Sequence, residues 1–234
     1  MSALRTQGFA VLDARSVCAL AGVQAAGLAR LAADWADLPP DEHLKDGGKY
    51  RRRRHASLVT AADGTPQPVP HRAHWQPLQY NALHGGMQRW FAPATATTAA
   101  RSEWLALPHW LAGVASALRG VQPWFIESHM FRIDTAGGIG RPTPEGAHRD
   151  GVDLVAVFLV ARHQLRGGET RVFALDEPHG LRFTLTEPWS VLLMDDSRVM
   201  HETTPIQPKH QGQHGHRDTL VITLRAGGFL APSH

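Results

Sequence analysis

Beyond Pro123 the chain breaks into short β-prone runs separated by Gly and Pro, with no helix-length segment between them. Runs over 124–134, 152–161, 169–174, 181–185, 190–195 and 217–225 predict strands. Gly137-Gly138, Gly167-Gly168, Pro178 with Gly180, and Glu187-Pro188 mark the turns between them. Parallel neighbours need long crossover connections, usually helical, so strands this close together predict antiparallel pairing. The expected fold class is therefore mainly β (α+β), built as a sandwich or jelly roll with helices packed against it from the N-terminal half.

That N-terminal half reads as a strand over 8–12 followed by a helix. Asp13 caps the helix, Val17, Leu20, Leu28, Leu31 and Trp35 supply its apolar face, and Pro39-Pro40 ends it. A strand over 50–60 opens with four arginines. Its alternation puts Arg51, Arg53, His55 and Ser57 on one face and Arg52, Arg54, Ala56 and Leu58 on the other. A second helical region spans 95–118, with Pro108 expected to split it in two.

Composition narrows the function classes. The 24 Lys plus Arg against 21 Asp plus Glu leave a formal charge of +3, too small to indicate nucleic-acid binding on its own. The single cysteine, Cys18, excludes an intramolecular disulfide framework. The longest apolar run, over 154–161, falls far short of the roughly 18 residues that span a bilayer. Arg5, Asp13 and Arg15 interrupt any signal-peptide core. The expectation is a soluble, cytoplasmic protein that binds neither membrane nor nucleic acid. Its compositional oddity is 15 histidines.

Histidine leads to the chemistry. In His148-Arg149-Asp150, residues i and i+2 of an extended segment project from one face, roughly 7 Å apart at Cα. An imidazole and a carboxylate so placed can converge on one metal ion, and His201 from a later segment would complete a 2-His-1-carboxylate face. Such a face leaves positions open and is characteristic of non-haem Fe(II) oxygenases. A second His-x-Asp, His216-Arg217-Asp218, lacks a following strand to return a third ligand. It offers Arg217 instead, a planar, permanently charged fork suited to a carboxylate, with Thr219 on the same strand face. Arg225 shares that face and is the rival for the same carboxylate.

The segments PTPEGAHRDGVDLVAVFLVAR, GGET, FTLTEP, LLMDDSRVMHETTPI and HRDTLVITLR, with KYRRRR and QPLQYNALHGGMQRWF upstream, resemble the bacterial 2OG-Fe dioxygenase family. That family holds the L-isoleucine hydroxylases and proteins linked to biofilm formation and stress. The resemblance covers most of the chain from Lys49 onward. It implies a double-stranded β-helix (jelly-roll) core over 121–234, flanked by 1–120, within one domain. It further implies Fe(II) at the positions matching His148, Asp150 and His201, and 2-oxoglutarate as cosubstrate. Arg217 would bind the cosubstrate, although the stretch PIQPKHQGQHGH lengthens the usual gap behind the second histidine. With Asp150 at the carboxylate position, hydroxylation rather than halogenation is implied, with dioxygen consumed and succinate released. The substrate implied is a free amino acid or similar small molecule bearing a carboxylate.

Other residues carry two readings each. Arg51 to Arg54 form an anion or nucleic-acid patch, or pair with nearby carboxylates, or turn one face into a cavity where Arg53 holds a substrate carboxylate. Gln76, Tyr80 and Asn81 either orient an amino acid or make local turn bonds. Glu145, Gly146 and Gly151 read as turn geometry rather than chemistry, Asp195, Asp196 and Glu202 as a solvated loop or as partners that fix the imidazole of His201, and His210, His214 and His216 as solvated loop residues or a metal-binding cluster. A metal-binding, cupin-like protein without turnover is the alternative function.

Overall fold

The alternation along two strands explains the layers. A computed structural model describes residues 1–61, 63–176 and 180–232; the turn expected at Pro178 lies outside them. In β5 (Leu154–His163), Leu154, Ala156, Phe158 and Val160 face a helical layer, while Val155 and Leu159 belong to a second core on the opposite face. Both faces are covered, which is why this strand reads as one uninterrupted apolar run. In β12 (His216–Ala226), Leu220, Ile222 and Leu224 join the helix-facing core, and Arg217, Thr219, Val221 and Thr223 line a cavity on the other side.

Seven antiparallel strands form the main sheet. They are β1 (Phe9–Leu12), β2 (Arg51–Thr60), β3 (Pro66–Pro68), β4 (Trp124–Asp134), β5, β9 (Val191–Asp195) and β12. Their order is β1-β9-β5-β12-β4-β2-β3. Opposite lie two small sheets. One, ordered β10-β7-β8, comprises β7 (Thr170–Ala174), β8 (Gly180–Phe183) and β10 (Val199–Thr203); the other pairs β6 (Leu165–Gly167) with β11 (Ile206–Pro208). This is the expected jelly-roll core. Three strands from the N-terminal half belong to its main sheet, so that half contributes more than packing. β10, with alternating buried Val199, His201 and Thr203, was not among the expected strands.

The helices are α1 (Ser2–Gln7), α2 (Ala14–Ala21), α3 (Ala25–Ala32), α4 (Ala96–Ala99) and α5 (Ser102–Arg119). Asp13 caps α2 by accepting the Ser16 N–H at 2.7 Å. The single helix expected after it is divided because Gly22 adopts φ 66°, a left-handed cap available to glycine at little cost. Pro108 does not split the second helical region. α5 runs through it, held by buried Trp104, Leu107 and Leu111, and the break falls earlier, between α4 and α5. Trp35, fully buried, donates its indole N–H to the carbonyls of Phe131 and Thr219 and so ties the helical layer to the sheet. Among the described residues no single helix is long and apolar enough to cross a membrane.

Candidate active site

The segment before β5 and strand β10 are joined by the histidines themselves. The His148 N–H donates to the His201 carbonyl at 3.0 Å, and the His201 N–H returns to His148 at 2.9 Å. This two-residue bridge sets the imidazoles with centroids 4.6 Å apart and planes tilted by 46°, and Asp150 falls beside them. Ligand atoms of His148, Asp150 and His201 all fall within 4.8 Å of one another. The His148 Nδ1 lies 3.0 Å from the Gly146 carbonyl, so Nδ1 carries a proton and Nε2 is the nitrogen turned toward Asp150. Burial, with His148 alongside, pushes His201 down to about 4, so its ring is neutral and able to ligate; its Nδ1 is buried without a partner.

Asp150 is held from two directions. Its carboxylate accepts from Gln76 Nε2 at 3.1 Å. Its backbone N–H, with those of Gly151 and Val152, donates to the Asp196 carboxylate at 3.0, 2.8 and 3.1 Å. Asp196 is therefore no solvated loop residue: it is 1% exposed, and burial together with Asp150 pushes it up to about 6. Its neighbour Asp195 is also buried, and accepts from Arg119. Glu145, read as a turn residue, lines the cavity with Oε1 3.5 Å from His148 Nε2 and a buried, unpartnered Oε2. Gly146 and Gly151 do serve the turns, at φ 81° and 78°.

Arg217 and Thr219, both buried, line the same cavity. Burial and the adjacent Arg162 bring the Arg217 guanidinium down to about 10, and its Nη2 is buried with no partner. An orphaned guanidinium nitrogen aimed into a cavity matches a carboxylate-bearing ligand. Arg225 does not compete for that ligand. It lies beyond the cavity lining and donates to the Gly228 carbonyl at 2.6 Å.

β2 brings Arg51 and Arg53 into the same cavity, while its other face pairs Arg52 with Asp134 and Arg54 with Asp37. The four arginines thus form no single basic patch. Gln76 and Asn81 also line the cavity, bonded to each other at 3.2 Å. Tyr80 lies outside that lining, where its ring covers Gly151 and the Arg149 guanidinium sits 5.8 Å from its centroid. His210 and His214 are exposed, and His216 lies 3.6 Å from Asp218.

A second convergent set, His55, His74, Glu127 and His129, was not anticipated. The alternation of β2 and β4 would have paired His55 with His129, but His74 comes from a loop. Several atoms of this set are already engaged, although His55 Nδ1 is buried without a partner. Glu127 takes His55 at 3.2 Å, His74 at 3.1 Å and Arg72 at 2.9 Å, and His129 Nδ1 accepts from Arg53 at 2.7 Å. Two guanidinium cations in direct contact make this set a poorer host for a metal ion than His148, Asp150 and His201.

A model of the family described as 2OG-Fe dioxygenase matches residues 32–223. A bsmA homolog from Methylobium petroleophilum PM1, known as a crystal structure, is 51% identical with TM-score 0.93, over 99% of this chain and 94% of that one. IDO from Bacillus thuringiensis shares the fold at 16% identity and TM-score 0.78, over 98% and 97% of the two chains. The Fe(II)/(alpha)ketoglutarate-dependent dioxygenase TqaL does so at 16% and 0.69, over 96% and 84%. No functionally curated protein matches.

Proposed function

Because the chain belongs to the 2OG-Fe dioxygenase family, whose enzymes use Fe(II), 2-oxoglutarate and dioxygen, we propose that His148, Asp150 and His201 hold the iron. Arg217, assisted by the Thr219 hydroxyl, holds the distal carboxylate of 2-oxoglutarate. The substrate is a small free amino acid or similar carboxylate-bearing metabolite, hydroxylated in the cytoplasm by the whole chain acting as one domain. The observation that carries this reading is the paired backbone of His148 and His201. It converges three donors of the right chemistry on one wall of the cavity that also holds the unpartnered guanidinium of Arg217.

Bound iron and 2-oxoglutarate supply dioxygen activation coupled to decarboxylation. The chain's own residues supply orientation. Gly146 sets the His148 tautomer, and Gln76 and Asp196 fix the Asp150 carboxylate and its backbone. Arg53 meets an acidic group of the substrate, with Asn81 bracing Gln76 beside it. Phe131, Val157, Val221 and Leu230 line the space between and keep water from the reacting carbon. Of the residues expected at the substrate, Tyr80 acts through Gly151, and Arg225 has no part.

Anaerobic titration with Fe(II) and 2-oxoglutarate, followed by the weak visible metal-to-ligand band, tests the assignment. The band should form in the wild type and weaken in both Asp150→Ala and Arg217→Ala. Iron bound without a band, or a band indifferent to both substitutions, rejects it.

A further inference from the structure

The wall of the cavity that holds Arg51, Arg53 and Arg89 carries more positive charge than a neutral amino acid can answer. Arg51, Arg53 and Arg89 are 7%, 3% and 2% exposed. One carboxylate serves them: Asp41 accepts from Arg51 at 2.7 Å and lies 3.7 Å from Arg53. Arg89 donates only to the neutral amide oxygen of Gln76, at 2.9 Å. Of the remaining acids of the cavity, Glu127 is committed to Arg72 and two imidazoles and Asp150 to the proposed metal, and Glu145, its Oε2 unpartnered, makes no ion pair with these three arginines. Three guanidiniums against one carboxylate leave two buried positive charges without a counter-charge, and buried unpaired charge is costly to a fold.

The donors are also aimed and unfilled. Arg51 Nη2, Arg53 Nε and Arg89 Nε are buried with no partner. Arg53 lies 3.5 Å from the Phe91 ring centroid and 4.2 Å from that of Phe131, so its plane is fixed. A guanidinium can only donate, so its bond to His129 Nδ1 requires the proton of that imidazole on Nε2. The ring on the cavity wall thereby offers one more donor. Gln76 bonds both Arg89 and Asp150, which sets this cluster one side chain away from the proposed iron.

We infer that the substrate is net anionic, with an acidic oxyanion group seated on Arg53, Arg89 and the Nε2–H of His129, rather than an amino acid with an uncharged side chain. The shared chemistry is that of a second carboxylate or a phosphate on a short acid. This inference rests on the substrate chamber proposed above.

Calorimetric titration of the Fe(II)- and 2-oxoglutarate-loaded protein, anaerobic and at constant ionic strength, tests it with four probes. These are sulfate as a bare dianion, L-glutamate, O-phospho-L-serine and L-isoleucine. Sulfate should bind, and one of the two acidic amino acids should bind at least about tenfold more tightly than isoleucine. Which of the two it is separates carboxylate from phosphate. Arg89→Gln should weaken sulfate about tenfold or more, Arg53→Gln likewise, and the exposed Arg15→Gln should change nothing. No sulfate binding, isoleucine as the tightest probe, or sulfate binding indifferent to Arg89→Gln overturns the inference. The visible iron band keeps the two ideas apart. In the wild type a band without sulfate binding sinks only this inference, whereas sulfate binding without a band sinks the iron and cosubstrate assignment.

Discussion

Substituting Gly151 with alanine tests whether the turn behind Asp150 is held in place by packing. Gly151 sits at φ 78°, and a Cβ built there would lie 2.3 Å from Tyr80 Cδ2 and 2.4 Å from Cε2. The left-handed backbone costs an alanine about 1–2 kcal/mol relative to glycine. The overlap adds about 1–2 kcal/mol more, whether the turn yields or the half-buried ring swings away and gives up its contact. Gly151→Ala should therefore lose roughly 2–4 kcal/mol, which for a chain of this length lowers Tm by roughly 5–15 °C. Because the Asp150 N–H and the Gly151 N–H share the Asp196 carboxylate, the shift should also weaken Fe(II) binding. The decisive assay is a double-mutant cycle by urea unfolding with Tyr80→Ala as the second arm. In that background only the backbone cost remains, so the penalty should fall to about 1–2 kcal/mol. An equal penalty in both backgrounds would refute the steric reasoning, and intact iron affinity in Gly151→Ala would refute the link to Asp150.

Three further outcomes follow from the same geometry. Gln76→Leu removes the amide that holds the Asp150 carboxylate and should reduce Fe(II) affinity about 10–100-fold; unchanged affinity in an anaerobic iron titration would show that Asp150 needs no such brace. Burial pushes His55 down to about 4, against the 6.5 of an ordinary histidine, so between those values the unfolded chain takes up a proton that the folded one refuses. Stability should accordingly fall as pH drops from about 6.5 toward 4, by up to about 3 kcal/mol from this residue, and His55→Gln should flatten that slope in denaturation measured across pH. Trp35→Phe keeps most of the buried ring but loses the N–H bonded to Phe131 and Thr219, at a cost of about 1–2 kcal/mol, whereas Trp35→Ala should cost about 3–5 kcal/mol; no measurable loss in Trp35→Phe by chemical denaturation would mean those bonds contribute nothing.

Local chemistry made much of this protein legible. The two-residue period of β5 and β12, the Gly and Pro punctuation between strands, the Asp13 cap and the His148-x-Asp150 spacing all act over a few residues, and they can be read without knowing the rest of the chain. The alternation of β2 likewise divided its arginines into two faces before any partner was known. What that alternation could not say is which face turns inward. The answer came from β4, paired along the whole of β2, and from Asp41, which anchors Arg51. Gly22 could have been recognised as a helix stop, whereas the survival of α5 through Pro108 depends on burial that only the packed sheet supplies.

The site itself was half visible. Its donor types could be named from the sequence, but their supports come from remote segments: Gln76 from a loop before α4, Asp196 from the end of β9, Arg89 from the stretch before Phe91. Asp196 illustrates the limit. In sequence it is an acid in a polar turn, indistinguishable from a solvated one; in the fold it is buried beneath three backbone N–H groups some 45 residues away. Sequence determines which hydrogen-bonding and charged groups a chain possesses and which face of each strand they share. Only the tertiary structure decides which of them lose water together, and burial is what turns an arginine, a histidine or an aspartate into part of a site.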